Sequence, residues 1–235
     1  MARGPIHLSS PQATERGTAL ALLPIAGTLG YYILPASLQE QPLVQFAPQI
    51  LAYLALAVWA THNHPVIARL GLNTAGLRNG LRWGLLIGAV LGALNTLVIL
   101  TIVPALGYGI TFLQDTPHAH LPLAIMVPWF ICGIALFVEV NFRGFLLGRL
   151  ATLESRAWKS GLAACPAPLA LIVSTLVFAF DPFMVNTFRH LHWIAVWDGA
   201  IWGMIWLRTR NLYSTIVAHA VEVIVMYLAV RTALS

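Results

Sequence analysis

Apolar runs of about twenty residues recur along this chain. In a bilayer only a helix satisfies every backbone N–H and C=O of such a run from within the run itself. Seven runs qualify: 18–36, 43–61, 83–105, 121–148, 166–182, 192–207 and 212–231. They predict an all-α polytopic membrane helix bundle of about seven transmembrane helices, with eight as the alternative if a helix is missed or broken. The fourth run is longer than a span needs and is expected to protrude. The sixth is short, so it is expected to be little tilted or partly re-entrant.

Of the 235 residues 59% are hydrophobic and only 9% are charged, against about 25% charged in an average soluble domain. The length suits one bundle without a separate soluble domain. A net charge of +5 invites a nucleic-acid reading, which the placement of the cations excludes. Arg3, Arg16, Arg69, Arg78, Arg82, Arg149, Arg156, Lys159, Arg208 and Arg210 fall in alternate gaps between the runs. The other gaps hold only Arg189, with Arg231 near the C-terminus. The positive-inside rule then places the N-terminus in the cytoplasm and the C-terminus outside. Residues 1–17 are expected to form a cytoplasmic tail, followed by a retained first helix rather than a cleaved signal. Residues 18–120 are expected to form the N-terminal membrane helices, and 121–235 the core. Residues 62–82 and 106–120 read as loops.

Gly80, Gly84, Gly88 and Gly92 make a flat stripe on which another helix can pack closely, and Gly199 and Gly203 repeat it once. Trp129 and Trp193 fit an outer interfacial belt, and Trp59, Trp83 and Trp206 an inner one. Cys132 and Cys165 lie in apolar stretches and suggest neither a disulfide nor a zinc finger.

Ionisable groups at membrane depth cost roughly 2.5–3.5 kcal/mol each and face a protein interior or a wet cavity. Glu139 and Arg143, four apart in FVEVNFRGFLL, share one helix face. His219 and Glu222 are three apart in the last helix. His219 lies roughly 10 Å from the cytoplasmic end of its helix, and Glu139 roughly 15 Å from that of its own, so the two can meet. Asp198 sits mid-span in the sixth helix, and Asp181 near the outer end of the fifth. A buried glutamate beside a histidine can activate water as a general base. The same groups could bind a divalent metal, although one histidine with two or three carboxylates is a weak ligand set. Alternatively Glu139 pairs with Arg143, and Asp198 or Glu222 with another cation, to hold the bundle. The loop pairs His62 and His64, His118 and His120, and His190 and His192 are weaker metal candidates.

These residues resemble the CAAX protease and bacteriocin-processing (CPBP) family, which includes the type II CAAX prenyl proteases. The family's Glu-Glu-x-x-x-Arg motif, followed by Gly-Phe-Leu, aligns with Val138, Glu139, Val140, Asn141, Phe142 and Arg143, then Gly144, Phe145 and Leu146. Its Phe-x-x-x-His motif aligns with Phe178 and Pro182. Its His-x-x-x-Asn motif aligns with His219 and Val223. The stretch from Trp193 through AHAV is also similar to the branch associated with exosortase and PEP-CTERM sorting systems.

The resemblance covers roughly residues 121–231. It implies a multi-pass protein of the bacterial inner membrane that cleaves near the C-terminus of a membrane or exported protein. The candidate site is Glu139, Arg143, His219 and Glu222. Three family polar groups are replaced, by Val138, Pro182 and Val223, and Val138 stands where the resemblance places the water activator. Two readings follow: an intramembrane endopeptidase with a rearranged site, or a pseudoprotease kept as a binding, immunity or assembly subunit. A third, a small transporter, lacks a repeat pair or broken helix in the sequence.

Overall fold

The computed structural model describes residues 15–116, 118–157 and 165–235. Most of the expected cytoplasmic tail (1–14), Pro117 and Lys159 lie outside them. Among the described residues the regular structure is helical, with no β-strand, as the apolar runs require.

Helix α1 (Leu22–Ile33) follows a 3-10 turn at Thr18–Ala21 and ends where Pro35 holds Leu34 extended. Helix α2 (Ala47–His62) carries Pro48 in its first turn, where a missing N–H costs little. Helix α3 (Leu77–Leu97) continues through a wide turn at Val98–Ile102 and ends at Ala105. Helix α4 runs from Leu123 to Ala157 with wide, π-type turns at Trp129–Ala135 and Val140–Leu147. Its 35 residues reach about 50 Å at 1.5 Å per residue, well beyond a hydrocarbon core of about 30 Å.

Helix α5 (Pro168–Ala179) is capped by Glu154, whose carboxylate accepts from Leu169 N and Ala170 N. Helix α6 (Pro182–Phe188) is capped by Asp181. Helix α7 (Ile194–Thr209) ends at Arg210 in the left-handed region. Helix α8 (Leu212–Leu234) is capped by Asn211.

Helices occupy all seven expected places, and among the described residues three are long and apolar enough to cross a membrane. They are the segment ending at Ala105, α4 and α8; α5 and its continuation to Leu191 make a fourth if taken as one bent span. Helices α2 and α7 have 16 residues each, about 24 Å, and join these spans as shorter apolar helices of the polytopic bundle. The expected loop at 62–82 holds a one-turn helix at Val66–Leu70 and the first turn of α3. Arginines such as Arg78 are tolerated in helices that run past the hydrocarbon. The irregular span is also the fifth rather than the sixth: α5 and the segment beginning at Pro182 are bent by 49° at Phe180–Asp181, a break not read in the sequence.

Leu29, Ile33, Val90, Phe137 and Ile172 are each more than half exposed, an outer surface suited to lipid. The main core packs Phe142, Leu146 and Leu147 of α4 against Phe178, Trp202, Leu212 and Ala218 of α5, α7 and α8. The glycine stripe of α3 lies on α8. A Cβ at Gly88 would stand 2.5 Å from Ala218 O, and one at Gly84 would stand 2.6 Å from Val217 Cβ. Two of the expected belt tryptophans are buried instead. Trp59 and Trp206 are nearly inaccessible and lie under the guanidinium groups of Arg149 and Arg210.

Candidate functional site

Helix α4 carries Glu139 and Arg143 on its inward face, where lipid contact would leave both charges uncompensated. Both are sealed, Glu139 at 0% exposure and Arg143 at 1%. Arg143 Nη1 donates to Glu139 Oε1 at 3.0 Å. His219 of α8 places Nδ1 3.0 Å from the same oxygen, so the similar depths expected from the sequence are realised. The Trp202 ring of α7 stacks on His219 with centroids 4.4 Å apart. The Arg143 guanidinium lies 4.3 Å from the centroid of Phe178 and 5.0 Å from that of Trp202. Aromatic faces from α5 and α7 thus close the ion pair off while favouring its cation.

One turn further along α8, Glu222 faces α3 rather than Glu139. Asn95 Nδ2 donates to Glu222 Oε1 at 2.7 Å and reaches Asp198 Oδ1 and Oδ2 at 3.2 and 3.1 Å. Trp197 Nε1 donates to Asn95 Oδ1 at 2.9 Å. Because an N–H donor holds that oxygen, the amide NH2 has to face the acids. Asp198 and Glu222 take their direct hydrogen bonds from this neutral amide, with the Arg143 charge near enough to act on both. The glycine stripe makes this approach possible, since a Cβ at Gly92 would lie 3.2 Å from Glu222 Cα.

Glu139, Arg143 and His219 thus form one buried group, and Asp198 and Glu222 a second beside it. Asp181 is in neither. It is 2% exposed and accepts from Gln49 Nε2 at 2.9 Å and from Phe183 N at 3.0 Å.

Asn95 escaped sequence reasoning, although a signal existed: it lies three residues after Gly92, on the glycine face of α3. Glu15 escaped too, because a lone acid in a basic tail carries no pattern. It accepts from Trp59 Nε1 at 2.8 Å, pairs with Arg149, and is 5% exposed.

Several polar atoms of the main site are buried without a partner: Glu139 Oε2, Arg143 Nη2, Glu222 Oε2 and Trp202 Nε1. Among the described residues no group of three or more His, Cys, Asp and Glu is placed to hold a metal. Between Asp198 and Glu222, where a cation would bridge two carboxylates, the Asn95 amide donates instead. The divalent metal considered from the sequence does not fit between these two acids as Asn95 holds them. His190 stacks on Tyr108, and His62 and His192 bond backbone carbonyls.

At the positions where the resemblance expects other polar groups, Val138 is half-buried against the core and Pro182 opens α6. Residues 119–225 match the family model described as Rce1-like, type II CAAX prenyl endopeptidase. The match takes in Glu139, Arg143, Asp198, His219 and Glu222 and leaves out α1 to α3. No curated protein and no solved structure matches the chain.

Proposed function

We propose, starting from a membrane protein that is CAAX protease-like across residues 119–225, that this chain works as a non-hydrolytic binding or assembly subunit of a membrane complex. It would sit in the bacterial inner membrane with its N-terminus in the cytoplasm. One observation carries the reading: Glu139 Oε1 is held at 3.0 Å by both Arg143 and His219 in a box at 0% exposure. A general base has to touch the water it activates at about 2.6–3.2 Å. Glu139 spends one oxygen on two cationic or polar partners, and its neighbour Val138 cannot accept a proton.

The experiment is co-purification of the full chain with partners from its own membrane, alongside incubation with C-terminal peptides of candidate membrane and exported proteins. The proposal expects partner retention by the wild type and by His219→Ala, and no cleavage by either. Cleavage that disappears in Glu139→Gln overturns it.

A second reading rests on a different observation, the unpartnered Glu139 Oε2, Arg143 Nη2 and Glu222 Oε2. Such atoms are what a water and a peptide carbonyl would satisfy. In that reading the chain is an intramembrane endopeptidase acting near the C-terminus of a membrane or exported protein. Glu139 or Glu222 is the base, His219 its partner, and Arg143 positions the carboxylate.

A further inference from the structure

Helix α3 meets α8 through its glycine face, where the close approaches at Gly84 and Gly88 lie. Positions two apart on a helix point about 200° from each other. Arg78, Arg82, Leu86, Val90 and Leu94 therefore run down the face opposite Gly80, Gly84, Gly88 and Gly92. All five are exposed, Leu86 at 55%, Val90 at 59% and Leu94 at 45%. The stripe changes character along its length: two cations stand at one end and three apolar side chains follow. From Arg82 to Leu94 is about 18 Å along the axis, against about 15 Å for the hydrocarbon of one leaflet. Trp83, next to Arg82, is 47% exposed and sets the arginines at headgroup level, where such rings collect.

Neither arginine has an ion pair among the described residues, and no acid lies in Leu77–Leu97. Glu15, buried at this end of the bundle, already pairs with Arg149. A guanidinium takes phosphate oxygens through two parallel N–H···O bonds, and basic residues at a membrane surface draw anionic lipid. A zwitterionic headgroup answers its phosphate with its own cation, so it offers the two arginines no net charge. Free phosphate offers the charge but leaves Leu86, Val90 and Leu94 uncovered. A phospholipid of net negative charge matches both halves of the stripe.

We propose that the outward stripe of α3 binds one anionic phospholipid, its phosphate held by Arg78 and Arg82 and an acyl chain lying along Leu86, Val90 and Leu94. The lipid covers the face of α3 that α8 does not.

The test is thermal unfolding of the full chain in detergent micelles carrying phosphatidylglycerol or phosphatidylcholine at equal mole fraction. The Tm is expected to be roughly 2–6 °C higher with phosphatidylglycerol, saturating with its mole fraction. That difference disappears when Arg78→Gln and Arg82→Gln are combined, two exposed exchanges that leave the packing of α3 on α8 untouched. It persists when Arg208→Gln and Arg210→Gln are combined, which removes the same charge from the same end of the bundle. Glycerol phosphate, which carries the phosphate without the chains, gives no shift. Equal wild-type Tm in the two lipids overturns the proposal, as does a difference that survives in the Arg78 and Arg82 double variant. Equal loss in both double variants overturns it in favour of diffuse attraction by the whole end. A full shift with glycerol phosphate overturns it in favour of a free-phosphate site.

Discussion

His219 Nδ1 lies 3.0 Å from Glu139 Oε1 although the two residues are 80 apart in the chain. This contact joins α8 to α4 at the oxygen that Arg143 already holds. Breaking a buried pair from one side leaves the other charge uncompensated and costs about 3–5 kcal/mol. Glu139→Ala is therefore expected to destabilise the protein by about that much, read as a loss of Tm in detergent. His219→Ala leaves the Glu139–Arg143 pair in place and is expected to cost less. Equal losses in the two variants would show that the histidine, rather than the ion pair, holds α4.

Asn95 supplies the donor for two acids from two other helices. Asn95→Leu keeps the approximate volume and removes that donor. Leaving buried groups unsatisfied costs about 1–3 kcal/mol, and more for charged groups. A drop of at least that size is expected in denaturant unfolding. Combining Asn95→Leu with Asp198→Leu and Glu222→Leu is expected to recover part of it, since the two acids no longer need a donor and only Trp197 Nε1 loses its acceptor.

Gly88 is the tightest point of the α3–α8 contact, with an added Cβ 2.5 Å from Ala218 O. That atom is backbone and cannot swing aside. Gly88→Ala is expected to push the helices apart at a cost of about 1–3 kcal/mol. Gly30→Ala meets nothing within 4 Å and serves as the control. Melting both variants beside the wild type checks the difference.

Glu15 fastens the segment before α1 to α2 and α4, through Trp59, Arg149 and the hydrogen bond from the Arg156 guanidinium to Glu15 O. Glu15→Ala removes the acid that Arg149 faces in a nearly sealed position. Faster tryptic cleavage after Arg16 is expected, together with a lower Tm. An unchanged cleavage rate would mean that the bonds between the Asn63 side-chain amide and the Arg16 backbone hold the segment without the acid.

Hydropathy alone determined that this chain is a helical membrane bundle, because an apolar run in lipid has no other way to satisfy its backbone. Local spacing also made the Glu139–Arg143 contact legible, since residues four apart on a helix face each other whatever surrounds them. The depth of His219 made its meeting with Glu139 a fair inference. The glycine repeat announced a close helix partner without saying which.

Tertiary structure decided the rest. Asn95 meets Asp198 and Glu222 across 103 and 127 residues, and nothing local to Asn95 names those partners. Glu15 reads as a solvated tail residue until α2 and α4 close over it. The fifth apolar run stops at 182, beside Asp181, and nothing in it announces the helix that continues from Pro182 to Leu191 at a 49° bend. Trp59 and Trp206 fitted an interfacial belt by position, yet they lie inside under arginines. The physical reason is common to all of these. Hydropathy reports the average surroundings of a segment, whereas pairing depends on which side chain of another helix occupies the few ångströms opposite.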